Sequence, residues 1–493
     1  MNGGETVHTA VPWLRRLRTL PWILFAVAAF VFLAPNVDFA ANLQWHDGQR
    51  LAQLAVLAVV MLTLAMPGAA RSLADTWALL AWWIRSALLA AFALGLLSSA
   101  SAPLPRWALL EWGLLWLLLV VAVGVAAQYR RFGARLDQPL VLLMLATATA
   151  YATSVCVVYI TMLLIGPDYR QIFDIRELYV SFSNIRFFGH IQTMMLPFLL
   201  LPAMWWGTTR TRRVMLWIVP AIWWLLVVGS GTRGTWVALL VGVVAVALYG
   251  RSVGRQWIKW QFAGLLCGLL CYALFILLIP QLLDQPAAFL HRAGDIVSLS
   301  LREVLWATAI EFTVQNPLLG VGPMHYAYFA TAVAAHPHNA VLQWLAEWGV
   351  PAAVLFSAVC AAAGLTFARH VRRTVDVVGE HQGLTGVALL AALAGAAAQA
   401  MVDGVLVMPV SQMLLALLCG WAMGIYLAAR AVCRSPVHDA LVMVFTLIAA
   451  GMVAYGVAPE IGRIAEREQA YLAAHPLDPR LLPRFWAQGW ISE

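Results

Sequence analysis

The chain has 493 residues, of which 62% are hydrophobic and 11% charged, with a net charge of +8 and a mean hydropathy of +0.81. No water-soluble fold hides that much apolar surface, so the composition excludes the soluble classes and identifies an all-α polytopic membrane protein. Arginine-rich cytoplasmic loops account for the positive balance; membrane lipids are expected as partners and nucleic acid is not, since no nucleic-acid motif is present.

Residues 1–19 read as a cytoplasmic N-terminus. The first apolar run follows Arg15, Arg16 and Arg18 and resembles a signal peptide, but it is read as an uncleaved first span. Thirteen apolar runs of roughly span length follow one another from Leu20–Ala34 to Ala440–Tyr455, so twelve to fourteen transmembrane helices are expected. The N-terminal group occupies residues 20–279, a loop residues 280–338, the C-terminal group residues 339–457 and a tail residues 458–493. The six cysteines, Cys156, Cys267, Cys271, Cys360, Cys419 and Cys433, form no disulfide framework.

Alternation from a cytoplasmic N-terminus gathers five basic clusters on one side: Arg130, Arg131 and Arg135; Arg210, Arg212 and Arg213; Arg251, Arg255 and Lys259; Arg369, Arg372 and Arg373; Arg430 and Arg434. That side is cytoplasmic under the positive-inside rule. The opposite side receives Gly166–His190, the short Ser230–Gly234 turn, the long Pro280–His338 segment and, with thirteen spans, the tail. Within the long segment, Ser300 and Glu303 have capping-box spacing. Leu301, Leu305, Ala309 and Phe312 recur at helical intervals up to Asn316-Pro317, which predicts an amphipathic surface helix. Leu318-Leu319-Gly320-Val321-Gly322-Pro323 then turns the chain back toward the membrane.

The segment ends in His336-Pro337-His338-Asn339. Asn339 is a good N-cap for the apolar helix that follows, which carries Gln343 and Glu347 at successive four-residue steps. The histidines thus stand at a helix mouth, where free N–H groups and the helix dipole favour an anion such as a lipid diphosphate. His338 is placed either as a general base for a hydroxyl nucleophile or as a structural histidine capping the helix. Glu347, about 12 Å along the helix axis, needs a partner or a proton: it either pairs with an arginine and helps build the site or, as the favoured reading, forms a buried structural ion pair.

Arg186, two residues after Asn184, and Arg233, in Ser230-Gly231-Thr232-Arg233, each lie where an apolar run meets a far-side turn, and Arg302 begins the surface helix. A single such arginine fits a snorkelling or headgroup-binding role. Several converging ones suit phosphate oxygens, which guanidinium forks match bidentately. Asp403 and Gln412 flank another short far-side turn. No metal constellation is visible: His336 and His338 are two residues apart with no carboxylate cluster, so no metal or other cofactor is expected.

The pattern Arg302 to Trp306, Asn316-Pro317-Leu318-Leu319-Gly320-Val321-Gly322-Pro323, then His336-Pro337-His338-Asn339 with Leu342, Gln343, Glu347 and Gly349, resembles the signature block shared by lipopolysaccharide O-antigen ligases, O-antigen polymerases and protein O-oligosaccharyltransferases. Asn184-x-Arg186-Phe187 and Ser230-x-Thr232-Arg233 are similar to further family positions. Thr232 stands where many relatives have serine, and Val350-Pro351 replaces a small-residue step.

The resemblance implies a GT-C-like helical membrane glycosyltransferase of the bacterial inner membrane, with a helical periplasmic loop between two late spans and a periplasmic active site. The donor would be undecaprenyl-diphosphate-linked O-antigen and the acceptor a hydroxyl of lipid A-core, with inversion and no metal. His338 would be the catalytic histidine and Arg186, Arg233 and Arg302 the diphosphate ligands, supported by Asn184, His336, Asn339, Gln343 and Glu347. A protein O-oligosaccharyltransferase or a polymerase with the same donor is the alternative, the short stretch after Tyr455 favouring the ligase. A polyprenyl-linked glycan transporter would show inverted repeats, and none is found in the sequence.

Overall fold

The computed structural model describes residues 22–66, 68–169, 173–285, 301–329, 333–430, 436–476 and 480–492. Arg15, Arg16, Arg18, Cys433, Arg434 and Ser300 of the expected capping box lie outside these residues, as do parts of the two long far-side segments. The membrane helices are α1 (Trp22–Leu33), α2 (Trp45–Leu64), α4 (Trp82–Ser101), α5 (Pro105–Phe132), α6 (Asp137–Tyr169), α7 (Ile185–Leu199), α9 (Arg210–Ser230), α10 (Arg233–Tyr249), α11 (Arg251–Cys271), α15 (Ala340–Thr374), α16 (Glu380–Ala400), α17 (Pro409–Leu427) and α18 (Pro436–Val457). Shorter pieces join them: α3 (Ala69–Ala78), α8 (Leu201–Trp206), α12 (Ile279–Leu282), α13 (Arg302–Gln315), α14 (Tyr326–Phe329) and α19 (Ile464–Ala474).

Ten helical segments are long and apolar enough to cross a membrane, one of them the 60-residue stretch Pro105–Leu164, where a single turn at Gly133–Leu136 separates α5 from α6. With the shorter α1 and α10, every one of the thirteen apolar runs lies on a helix among the described residues. The chain is an all-helical, multi-pass membrane protein.

Successive helices run in opposite directions, and this sorts the polar residues to two ends. At one end Arg251 pairs with Asp376 at 3.0 Å, Arg372 donates to the Leu248 carbonyl, and Gln138 meets His381. These contacts tie the basic helix starts and ends together. At the other end Gln49 donates to the Ser181 carbonyl, Asn339 to that of Met401 and Arg302 to that of Val402. Between the ends lies an aromatic core in which Phe92 meets Trp112, Trp116, Trp348 and Phe356 edge-on. Small residues let backbones approach: Gly420 of α17 lies against the Ala122 carbonyl of α5, as expected where van der Waals packing drives helix association.

Helix α15 is broken rather than continuous. Gly349 has φ 80° and ψ 167°, and Pro351 follows it. Pro351 has no N–H for the Glu347 carbonyl, and a membrane interior offers no water to replace it. The breaker cluster ahead of His336 supplies the partners: Val321 N–H donates to the Ala346 carbonyl at 2.8 Å, Gly322 N–H to Glu347 at 3.1 Å, and the Val350 N–H finds Pro317 O at 2.8 Å. Gly320 and Gly349 are both left-handed and both packed on the facing backbone, so a Cβ at either would collide with it. The Asn316–Pro323 stretch thus stitches itself into the break in α15.

Candidate active site

Three helices begin at the same place with an arginine in the first turn. Asn184 caps α7, its Oδ1 accepting the Arg186 N–H at 2.9 Å. Gly231, at φ 56°, ends α9 and lets α10 start two residues later at Arg233. There the hydroxyls of Ser230, Thr232 and Thr235 bond in series at 2.9 Å each, and Gln399 of α16 reaches Thr235 at 3.4 Å. Arg302 opens α13 and is anchored by its Nε on the Val402 carbonyl at 3.1 Å. Burial lowers the Arg302 guanidinium from its ordinary value; Arg186 and Arg233 add to that and Asp403 opposes it, so all four groups lie within electrostatic range.

This arrangement runs against helix electrostatics. A helix N-terminus carries partial positive charge and favours an anion, so a cation there is unfavourable by a few tenths of a kcal/mol or more. Three arginines in three first turns therefore sum with three dipoles into one positive field. Asp403 is the one carboxylate that acts on Arg302 alongside Arg186 and Arg233.

A fourth helix start, that of α15, carries the histidines. Asn339 caps it as its residue type predicts, accepting the Leu342 N–H at 3.0 Å and donating to Met401 O at 3.0 Å. His338 stands just outside with φ 52°, a left-handed conformation uncommon for a residue with a Cβ. The strained residue is held by its neighbours: its N–H donates to His336 Nδ1 at 3.3 Å, the two rings lie 4.1 Å apart, and Trp306 of α13 donates to the intervening Pro337 carbonyl at 3.1 Å. His336 is buried against Gly404. Burial above all, with His338, Arg484 and His190 also contributing against Asp403, holds its imidazole well below the usual range, so it remains neutral and its Nδ1 is free to accept.

Asp403 joins the two halves of the site. Its Oδ1 lies 3.3 Å from His338 Nδ1 and accepts the Gly404 N–H at 2.9 Å; its Oδ2 lies 3.5 Å from His190 Nε2. Burial pushes this carboxyl up, but the two imidazoles outweigh burial and hold it well below the usual carboxylate range. Nδ1 of His338 thus faces an oxygen of Asp403 and makes no hydrogen bond of its own in this structure. The His338 side chain keeps 13% exposure, enough to meet a substrate hydroxyl.

Gln343 and Glu347 point elsewhere. Gln343 lies 3.5 Å from Glu111, and Glu347 pairs with Arg484 at 2.7 Å, the same guanidinium also reaching Glu111 at 2.7 Å. Arg484 belongs to the tail, which is threaded among the helix ends: Arg50 and His46 bind the Phe485 carbonyl, and Asp47 accepts from Ala487 N–H at 2.7 Å. The structure thus brings Arg186, Arg233, Arg302, His336, His338 and Asn339 together and sets Gln343 and Glu347 beneath them. Sequence reasoning treated Asp403 only as a turn residue and left His190 and Arg484 unassigned. The signals were a carboxylate in a far-side turn, a histidine one helical turn after Arg186, and an arginine in an otherwise aromatic tail.

Residues 217–357 match the Wzy_C family model, described as O-antigen ligase. The matched stretch holds Arg233, Arg302, His336, His338, Asn339, Gln343 and Glu347, while Arg186 and Asp403 fall to either side of it. No curated protein matches the chain.

Proposed function

We propose that this chain, whose residues 217–357 match the O-antigen ligase family model, belongs to the O-antigen ligase superfamily and transfers O-antigen polysaccharide from undecaprenyl diphosphate to a hydroxyl of lipid A-core oligosaccharide, on the periplasmic face of the bacterial inner membrane. The observation that carries this reading is the convergence of Arg186, Arg233 and Arg302, each at a helix N-terminus, beside a histidine backed by a carboxylate. Guanidinium forks at such a place match the oxygens of a diphosphate diester.

In this reading His338 Nε2 takes the proton of the acceptor hydroxyl as its oxygen attacks the anomeric carbon. Asp403 stabilises the imidazolium that forms. The glycosidic C–O bond to the diphosphate breaks, and undecaprenyl diphosphate leaves with the electron pair. Its added negative charge falls in the field of the arginines, which supply the stabilisation that a divalent ion supplies in other transferases. Single displacement inverts the anomeric carbon. His336 holds the strained loop, Asn184 and Asn339 hold the helix starts, and the end carrying this site is the periplasmic one because the arginine clusters mark the other as cytoplasmic.

The test is transfer by the purified protein in liposomes, with undecaprenyl-diphosphate-linked O-antigen, rough lipopolysaccharide and a chelator. Wild type is expected to extend the lipopolysaccharide with inverted linkage, and folded His338→Ala to lose about 10²- to 10⁴-fold in kcat. Glycosylation of a pilin-like protein, or lengthening of the donor alone, replaces the acceptor in this reading. Full activity in His338→Ala removes the base.

A further inference from the structure

Asp403 has two carboxylate oxygens and they are served from opposite directions. Oδ1 faces His338 Nδ1 and the Gly404 N–H, whereas Oδ2 faces His190 Nε2 at 3.5 Å. His190 is fully buried, four residues after Arg186 on α7 and so on the same helix face. The adjacent Gly189 packs so closely on the Thr235 hydroxyl that a Cβ would collide with it, which fixes α7 against the helix that begins with Arg233. The imidazole is therefore held by its surroundings, with no exposure to bulk water. Neither ring nitrogen of His190 has a hydrogen-bond partner in this structure, so it is the packed ring, with Nε2 aimed at Oδ2, that opposes a rotation taking Oδ1 away from His338.

We propose that His190 is a positioning residue for the transfer reaction: it orients Asp403, and through Asp403 sets the tautomer and basicity of His338. This rests on the reading of His338 as the base. The present distance of 3.5 Å is longer than that of a good hydrogen bond, and such contacts tighten when substrate completes the site. The same helix carries Arg186 one turn above, so occupation of the arginine site by the donor and alignment of the base are mechanically linked. The charged and titratable groups facing this unit are His336 and His338 from the loop before α15, Arg186 from α7, Arg233 from α10 and Arg302 from α13, with Arg484 of the tail beyond His336.

The experiment compares wild type, His190→Leu, His190→Gln and His338→Ala in the liposome assay, recording kcat, KM for the donor, and the pH profile of kcat/KM. Binding of undecaprenyl diphosphate and the thermal midpoint are measured in parallel. Glutamine places an N–H where His190 Nε2 now lies; leucine removes it. His190→Leu is expected to lower kcat about tenfold or more with undecaprenyl diphosphate binding kept. Its acid limb moves to lower pH, because His338 beside a less effective carboxylate is a weaker base and stays neutral further into acid. His190→Gln is expected to recover most of kcat and the wild-type profile. Wild-type kcat and pH profile in His190→Leu overturn the proposal, as do a loss of donor binding with unchanged kcat or a His190→Gln no better than His190→Leu. If His190→Leu does not fold, the glutamine variant decides: it must keep the wild-type profile. An inactive His338→Ala alongside keeps the base reading intact whatever the His190 variants do; an active one removes both together.

Discussion

Two arginine–carboxylate clusters stand at the same end of the bundle and solve opposite problems. In one, Arg186, Arg233 and Arg302 surround the single carboxylate of Asp403, and the cluster opens outward, with Arg233 exposed and Arg186 and Arg302 half-buried. In the other, Glu111 and Glu347 share the one guanidinium of Arg484, all three buried, with Arg50 close enough to Glu111 to balance the remaining charge. The second cluster pairs its opposite charges with one another inside the bundle. Its Arg484, which Glu111 and Glu347 raise above its ordinary value against burial, stays protonated at any working pH. The first sets three arginines beside one carboxylate at an open face. Arginine and carboxylate at a membrane surface are therefore not a function in themselves; the ratio and the opening decide whether they form a latch or a binding site.

The largest way to break this comparison is to remove the open cluster. Arg186→Ala/Arg233→Ala is expected to lower kcat/KM for transfer by about 10³-fold in the folded protein. The paired lysine variant should recover part of the loss, since ammonium keeps the charge and not the fork. Initial rates in liposomes decide it: unchanged kcat/KM in the double alanine variant would show that these arginines serve something other than the donor.

The closed cluster should respond the other way. Arg484→Ala leaves two buried carboxylates facing each other, and breaking such a group typically costs about 3–5 kcal/mol. A strongly lowered unfolding midpoint in detergent is expected, with undecaprenyl diphosphate binding retained by the folded fraction. A wild-type midpoint would mean that the tail is not a latch.

These two regions also differ in how far the sequence revealed them. Every membrane helix among the described residues was legible, because a span must be apolar along its whole length and basic residues gather in the turns between spans. The cap at Asn339 was legible for a local reason: its oxygen has only to reach an N–H three residues on. Glu347 announced that it needed a partner or a proton, yet Arg484 is 137 residues away and its pairing depends on the tail folding back among helix ends. Asp403 and His190 were hidden for the same reason, since a turn carboxylate and a helical histidine acquire meaning only when α7, α15 and α16 meet. The break at Gly349 was half legible: Val350-Pro351 marked a disturbed helix, but that Val321 and Gly322 would satisfy the freed carbonyls is a tertiary fact.

Acid sharpens the contrast by a smaller amount. His336 is held neutral in the fold, well below the ordinary value of 6.5. An unfolded chain takes up that proton first, so the stability due to burying neutral His336 is fully present above pH 6.5 and is lost as pH falls below it toward the folded value, at about 1.4 kcal/mol per pH unit. Asp403, with its folded value depressed, adds a loss at still lower pH. Thermal midpoints between pH 7.5 and 5 should fall for wild type and fall less steeply for His336→Asn; parallel slopes would remove His336 as the cause.

The smallest effect separates the regions most cleanly, because the same chemical change is available in each. Trp306 donates its indole N–H to the Pro337 carbonyl at 3.1 Å, and Trp107 donates its own to the Ser492 carbonyl at 2.9 Å. Phenylalanine at either position keeps an aromatic ring and deletes one hydrogen bond, worth about 1 kcal/mol, so the two midpoints should fall by similar amounts. Activity should not fall alike. Pro337 sits between His336 and His338, and a loop that holds His338 in a left-handed conformation needs every contact that resists its relaxation. Trp306→Phe is therefore expected to lower kcat about threefold to fivefold with donor KM unchanged, whereas Trp107→Phe, which loosens only the tail, should leave kcat at the wild-type value. Equal loss of kcat in both variants would show that the latch and the open site act as one unit, and that the tail reaches the chemistry through the loop above it.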